Sequence, residues 1–171
     1  RLAPLLFCLA AACLPSLAHA QSNAEEEAER RASVVANTSP NAAKVLFGQK
    51  TTPANLQARA IGSYAKGCLA GAKALPVDGQ TWQVMRLNRN RKWGHPDLIA
   101  YLEDLARRVP SINGWSGLLI GDISQPRGGP MLTGHASHQV GLDADIWLTP
   151  MPNRQLSRNE REEMSAVMMV R

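Results

Sequence analysis

Residues 134–147, GHASHQVGLDADIW, hold two histidines and two aspartates around a short alternating stretch, and this segment constrains the fold more than any other. Successive side chains of a strand point to opposite faces of its sheet. The alternation in GLDADIWL therefore predicts a strand with its apolar residues in the core and both aspartates on the other face. The apolar residues are Leu142, Ala144, Ile146 and Leu148, and the aspartates are Asp143 and Asp145. Gly141 allows a bend that brings His138 towards Asp145.

The residue types of this segment are compatible with a metal site. Imidazole nitrogen and carboxylate oxygen bind zinc, and a catalytic zinc has three protein ligands and one open position. His138 and Asp145 could supply two ligands, while His135 could bind the same ion, bind a second ion or orient water. A hydrogen-bonded His–Asp pair is the alternative that the spacing leaves open. The helical H-E-x-x-H signature is excluded by Gln139, and Ser137 lacks the flanking glycines of a serine hydrolase elbow.

The first twenty residues, RLAPLLFCLAAACLPSLAHA, have the pattern of a secretory signal peptide. Arg1 is interpreted as the remnant of a basic n-region, and Leu2 to Leu14 as an apolar h-region. Ala18 and Ala20 are the small residues of a cleavage site. The apolar run is shorter than the ~20 residues that span a bilayer. We expect cleavage near Ala20, export to the periplasm and no stable membrane anchor.

Net charge and cysteine content bear on two questions: which partners the exported protein binds, and whether its cysteine is oxidised. Removal of residues 1–20 takes away Arg1 and no acidic residue, so the formal net charge falls from +5 to +4. Export argues against a nucleic acid partner, and the basic stretch RLNRNRKW at 86–93 is interpreted as a solvated face. Cleavage leaves Cys68 as the one cysteine of 21–171. In an oxidising compartment it is either buried and reduced or paired with a cysteine beyond Arg171.

The remaining patterns predict alternating helices and strands after a loose start. Residues 21–57 are poor in aromatics and contain Pro and Asn turn signals, which is typical of a linker or loose N-terminal arm. The following patterns predict a strand at 81–87, a helix from Pro96 to Pro110, a buried strand at 117–123 and a C-terminal helix that begins with the capping box of Ser157 and Glu160. This order favours an α+β fold.

Three further residues each have two interpretations. His95 precedes the predicted helix and either supports its start or lies at the rim of a cleft. Arg127, in the loop 124–130, either meets a peptide carboxylate or faces solvent. Trp147 follows the aspartates and either packs against a peptide or covers the edge of the sheet.

The run HASHQVGLDADI at 135–146 resembles the penicillin-insensitive murein endopeptidase family. That family belongs to the wider group of lysostaphin-type and D-Ala-D-Ala metallopeptidases, whose ligand pattern is H-x6-D followed much later by H-x-H. The stretches IGSYAKGCLAGAKALP, WQVMR, WGHPDL and LLIGDISQPRGG resemble family stretches in the same order. The resemblance covers roughly residues 60–170, about the N-terminal half of the family domain.

This resemblance implies a fold and an activity. The fold would be α+β, with a small antiparallel sheet and flanking helices carrying a zinc site, and residues 58–171 would be the N-terminal portion of a truncated domain without its C-terminal part. The protein would be a periplasmic zinc metalloendopeptidase that hydrolyses D-alanyl–meso-diaminopimelyl cross-bridges of peptidoglycan, with one catalytic Zn²⁺ and room for a second.

The resemblance also implies roles for individual residues. His138 and Asp145 match H-x6-D and would bind the catalytic zinc. His135 matches a histidine assigned to a second metal position or to the immediate surroundings of the zinc. For the hydrolysis itself, His135 or a histidine beyond Arg171 would act as the catalytic base or stabilise the oxyanion. Apart from the resemblance, Asp143 lies on the same predicted strand face as Asp145 and is a candidate to orient a ligand imidazole, with a solvated or turn-bonding aspartate as the alternative. Cys68 matches a cysteine that forms a disulfide with a distal C-terminal cysteine, here expected beyond Arg171.

The chain departs from the family pattern in one respect. No histidine follows His138, so the H-x-H pair and the third zinc ligand are absent from residues 1–171. We expect the full-length protein to be an enzyme and residues 21–171 alone to be inactive. Two alternatives remain open at this point: a non-catalytic murein-binding protein with a degenerate site, and a metal-stabilised interaction domain on the same scaffold.

Overall fold

The computed structural model describes residues 23–134 and 136–166. The elements of this part of the chain follow in the order α1 (Asn23–Ala36), α2 (Ala43–Gly48), β1 (Arg59–Ser63), β2 (Lys66–Ala70), β3 (Lys73–Ala74), β4 (Trp82–Val84), a 3-10 turn (Leu87–Arg89), β5 (Trp93–Gly94), α3 (Pro96–Asn113), β6 (Leu118–Ile120), β7 (Ile146–Trp147) and α4 (Arg158–Glu163). The predicted α+β class is confirmed.

The described strands form three small sheets. β1 pairs with β2 and β3 pairs with β5, both antiparallel, whereas the central sheet has the order β4–β6–β7. In that sheet β4 and β6 are parallel, and β6 and β7 are antiparallel. The prediction of an antiparallel sheet is therefore correct for the two-stranded sheets and wrong for the central sheet beside the candidate site, which is mixed. The reason is α3, which lies between β4 and β6 in the chain and returns it in the original direction.

The helix α3 has the predicted start and a different end. His95 is its N-cap and Pro96 occupies the first turn, where a missing N–H costs nothing. The predicted end at Pro110 is wrong, because the helix continues to Asn113 and ends at Gly114, whose φ is +76°. Pro110 is exposed and lies in the last turn, so it removes one hydrogen bond to the carbonyl of Ala106 without breaking the helix.

Two apolar clusters pack against the central sheet. The larger one joins the sheet to α3 and contains Leu75, Val84, Ile99, Leu102, Ala106, Val109, Leu118, Ile120 and Ile123. The smaller one contains Met85, Leu119, Trp147, Met151 and Leu156. Since neighbours along β6 belong to different clusters, the middle strand is buried on both faces. This double burial explains why its sequence is a continuous apolar run.

The strand predicted from GLDADIWL is only two residues long. Leu142 and Leu148 are 52% and 48% exposed, so their predicted place in the core is wrong. Ile146 packs against the larger cluster as predicted, while Trp147 is buried in the smaller one. The chain from Gly141 to β7 is irregular, and a period of two applies only to extended backbone.

Residues 23–57, within the predicted linker or loose arm, contain two helices. The described part of α1 has no buried residue, and this helix contacts α4. Val45 of α2 is fully buried. The division of the chain into domains stays a prediction, and the predicted signal peptide at 1–20 lies outside the described residues. Among the described residues, no helix is long and apolar enough to cross a membrane. The capping box of Ser157 and Glu160 is present at the start of α4.

Candidate metal centre

His138 lies in a loop that packs against two other parts of the fold. Its backbone is left-handed, with φ +67°, and its side chain is almost fully buried. The next residue, Gln139, holds the loop in place: its side chain accepts a hydrogen bond from the amide of Gly67 (3.2 Å), and its carbonyl accepts one from Gly129 (2.9 Å). A left-handed conformation costs a non-glycine residue on the order of 1 kcal/mol, so it persists only where such contacts impose it.

The turn after His138 brings the predicted site residues together. Gly141 has φ +66°, and its carbonyl accepts a hydrogen bond of 2.8 Å from the amide of His95. Asp145 is fixed to the end of β6, because its amide donates to the Asp122 carbonyl (2.9 Å) and its carbonyl accepts from Gly121 (2.8 Å). The loop and the central sheet thus meet at Asp145.

Two carboxylates flank the His138 imidazole. Nδ1 of His138 lies 2.9 Å from Oδ2 of Asp143, and Nε2 lies 3.4 Å from Oδ1 of Asp145. The amide of His138 donates to the same Oδ2 of Asp143 at 3.2 Å. Asp143 therefore contacts both the backbone and one ring nitrogen of His138, while Asp145 faces the other ring nitrogen.

The pair formed by His138 and Asp145 fits a metal ion. Two ligands of a tetrahedral zinc, at bond lengths of about 2.0–2.2 Å, are separated by about 3.3 Å, close to the 3.4 Å between Nε2 and Oδ1. The Asp145 side chain is 42% exposed, so further ligands can approach from the solvent side. Among the described residues there is no group of three or more potential ligand side chains that could hold a metal. His135 lies outside the described residues, and its predicted roles stay predictions.

The carboxylates also affect the protonation of His138. Burial lowers the pKa of the imidazole, but the hydrogen bond to Asp145 and the charges of Asp143, Asp145 and Asp122 outweigh burial and raise the pKa above its ordinary value. A cluster of negative charge that favours a proton on an imidazole also favours a metal cation beside it.

Arg91 and Asp122 form a buried ion pair close to Asp145 that the sequence patterns do not predict. Nη1 of Arg91 lies 2.7 Å from Oδ2 of Asp122, and both side chains are almost fully buried. Arg89 contacts the same oxygen at 3.1 Å, and Nη2 of Arg91 donates to the Thr133 carbonyl at 2.6 Å. The interpretation of 86–93 as a solvated face is therefore wrong for Arg91. The one available signal was Asp122, an acidic residue inside the predicted buried strand 117–123.

The other residues named from the sequence lie around this centre. The side chain of His95 caps α3 by accepting a hydrogen bond from the amide of Asp97, which is the helix-start role. Nε of Arg127 donates to the Thr52 carbonyl. Trp147 is buried beneath the guanidinium of Arg86, whose Cζ lies 5.5 Å from the ring centroid. Cys68 is a half-buried free thiol on β2, and its disulfide stays a prediction.

Comparison with known proteins identifies the family. The sequence profile described as penicillin-insensitive murein endopeptidase matches residues 60–171, more than half of the chain. A protein of that name from Haemophilus influenzae is 58% identical over 92 residues, which cover 54% of this chain and 32% of the relative. One from Escherichia coli O1:K1 is 46% identical over 98 residues, covering 57% of this chain and 35% of the relative.

The chain spans about a third of the length of these curated relatives. The match to the family profile begins within β1 and extends past α4, and it contains His138, Asp143 and Asp145. The resemblance that the motifs indicate is thereby confirmed. The chain belongs to the penicillin-insensitive murein endopeptidase family, a family of metallopeptidases.

Proposed function

We propose that the full-length protein is a periplasmic zinc endopeptidase that hydrolyses D-alanyl–meso-diaminopimelyl cross-bridges of peptidoglycan. The observation that carries the proposal is the distance of 3.4 Å between His138 Nε2 and Asp145 Oδ1, with Asp143 on the far side of the ring. Peptidoglycan as the substrate rests on the names of the relatives, which are murein endopeptidases.

His138 and Asp145 would hold the metal, and Asp143 would orient the imidazole. Asp143 Oδ2 lies 2.9 Å from Nδ1 and would hold the ring from that side, while Nε2, which faces Asp145, would be the nitrogen that binds the metal. When bound, a zinc ion lowers the pKa of a coordinated water and polarises the scissile carbonyl. His135 is proposed as a further ligand or as the base that takes a proton from the water.

The first experiment compares metal content and cleavage in variants of the full-length protein. His138→Ala should lose both stoichiometric zinc, measured by elemental mass spectrometry, and cleavage of cross-linked muropeptides, measured by chromatography. Asp143→Asn should keep the site but weaken zinc affinity about tenfold to a hundredfold, because the neutral amide orients the imidazole less well. His95→Asn is the matched control: asparagine is a good N-cap, so zinc and activity should be unchanged.

The outcomes separate the proposal from its alternatives. Full zinc content in His138→Ala would refute the assignment of the metal ligand. A wild-type protein that binds zinc and murein but cleaves no cross-link would be a binding protein with a degenerate site. Periplasmic export predicts a mature protein that begins at Gln21, which N-terminal sequencing measures directly.

A further inference from the structure

A groove extends away from the proposed metal centre and shares Asp145 with it. Its wall includes two arginines that do not belong to the candidate ligand set. The lining residues are Arg86, Arg89, Gly121, Asp122, Asp145, Trp147 and Ala166. Gly121 packs closely against two of these residues, because a Cβ on it would lie 3.0 Å from Trp147 Nε1 and 3.2 Å from Asp145 Cβ.

The backbone holds both arginines at this groove at some conformational cost. The 3-10 turn Leu87–Arg89 lies between Arg86 and Asn90, whose φ angles are +53° and +52°. Asparagine tolerates left-handed backbone, but it is unfavourable for Arg86, and strain of this kind concentrates at functional sites. Contacts with α4 impose it: the amide of Arg86 donates to the Arg161 carbonyl (3.1 Å), and the amide of Asn88 donates to Glu162 (2.9 Å).

The two arginines differ in how far their charges are compensated. Arg89 lies between two carboxylates, 3.1 Å from Asp122 and 3.8 Å from Glu27. In the described part of the chain, no carboxylate lies within 4.0 Å of the guanidinium of Arg86, which donates to the carbonyl of Met164 at 2.9 Å and stacks on Trp147. Arg86 thus has N–H donors available at a partly buried position.

The electrostatic surroundings of Arg86 also indicate that its charge is incompletely compensated. Burial and the nearby charge of Arg89 lower the pKa of Arg86, against the opposing effect of Glu162, Glu163 and Asp122. Glu162 already accepts from the amide of Asn88, and Glu163 accepts from the amide of Asn23. A partly desolvated guanidinium of this kind gains most from an added anion that it can bind through two parallel hydrogen bonds.

We propose that Arg86, supported by Arg89, binds a free carboxylate of the peptide substrate beside the scissile bond. This inference rests on the proposed function, since it assumes a peptide whose carbonyl lies at the metal held by His138 and Asp145. In the proposed cross-bridge, the nitrogen of the scissile amide is attached to a carbon that also carries a free carboxylate. A group next to the scissile nitrogen would enter the groove that begins at Asp145.

The test uses two cross-linked muropeptides that differ only at this carboxylate, which is free in one and a carboxamide in the other. Wild-type full-length protein should cleave the free-carboxylate form with a kcat/KM about tenfold to a hundredfold higher, the range expected for hydrogen bonds to a charged group. Arg86→Met should lose this preference by slowing cleavage of the acid and leaving the amide nearly unaffected. Arg86→Lys should keep part of this preference, because lysine keeps the positive charge but lacks the paired N–H donors of the guanidinium.

The controls keep this inference separate from the proposed function. Arg107→Met alters an exposed arginine on α3 and should retain the wild-type preference. Zinc content and binding of the cleaved acid and amide monomers, measured by calorimetry, accompany the rates. An active enzyme with equal kcat/KM for both dimers would overturn the carboxylate subsite. A protein that cleaves neither dimer but binds the acid monomer more tightly through Arg86 would refute the endopeptidase and support the subsite.

Discussion

Gly141→Ala tests how closely the site loop packs against the rest of the fold. At φ +66° an L-residue is strained, and a Cβ built on Gly141 would lie 2.5 Å from Cδ2 of Leu69 and 3.1 Å from the amide nitrogen of His95. Leu69 is buried on β2, so its side chain cannot move into solvent. The substitution must therefore either displace Leu69 or shift the turn that joins His138 to Asp145.

The magnitude follows from three contributions. Left-handed backbone costs alanine about 1–2 kcal/mol. Displacing a buried leucine from its rotamer adds about 0.5–1.5 kcal/mol. Alanine also restricts the unfolded chain, which offsets about 0.4–1 kcal/mol. We expect Gly141→Ala to lower the free energy of unfolding of the full-length protein by about 2 kcal/mol, measured by urea denaturation.

Gly114→Ala is the matched control for this prediction. Gly114 has φ +76°, but a Cβ there would meet no atom within 4 Å. It carries the backbone strain without the collision, so the expected loss is about 1 kcal/mol by the same terms. If the two variants lose equal stability, the contact with Leu69 contributes nothing and the close-packing argument is wrong.

Two further predictions concern charges outside the candidate metal centre. The hydrogen bonds from Arg154 and Ser157 lower the pKa of Glu160 to about 2, below its ordinary 4.5, so its contribution to stability is fully present above pH 4.5 and is lost as the pH falls towards 2. Glu160→Gln should therefore lose less thermal stability than the wild type between pH 4.5 and pH 2. An equal loss in the two proteins would contradict the role given to the Glu160 carboxylate. Asp122→Ala leaves Arg91 buried without its carboxylate and should cost about 3–5 kcal/mol in urea denaturation. Asp104→Ala removes two exposed ion pairs on α3, with Arg107 and Arg108, and should cost less than about 1 kcal/mol. Similar losses in these two variants would show that the burial of the Asp122 pair does not matter.

Local signals explain the parts of the fold that the sequence predicts correctly. The start of α3 depends on Pro96 and on the cap beside it, and the start of α4 depends on Ser157 and Glu160, three residues apart. Such hydrogen bonds close within one turn, so neighbouring residue types are enough to indicate them. The buried strand β6 is also visible, because burial on both faces requires an uninterrupted apolar run.

The errors have non-local causes. Arg91 is buried because Asp122, 31 residues away, neutralises its charge, and no local pattern in 86–93 reports such a partner. Leu142 is exposed because the turn that ends at Gly141 and the irregular chain after it interrupt the extended backbone that the alternation assumes. His138 adopts a left-handed conformation under contacts from β2 and from the loop at Gly129, and a histidine in a sequence carries no sign of it.

For the candidate site, the sequence predicts which residues meet but not how they are arranged. The spacing of His138, Asp143 and Asp145 indicates that they are close. The structure adds that the two carboxylates face opposite nitrogens of one imidazole. It also adds Arg86, which lies in a stretch that charge patterning alone assigns to solvent.

His95 couples the start of the longest described helix to the site turn. Its side chain accepts from the amide of Asp97 in the first turn of α3, and its own amide donates to the carbonyl of Gly141. An opening fluctuation that frees the Gly141 carbonyl therefore also releases the start of α3. The two segments should form one cooperative unit in native-state hydrogen exchange. A metal held at the proposed centre would restrain the turn, and by linkage that restraint would extend to α3. The exchange rate of the His95 amide would then report metal occupancy from outside the coordination sphere.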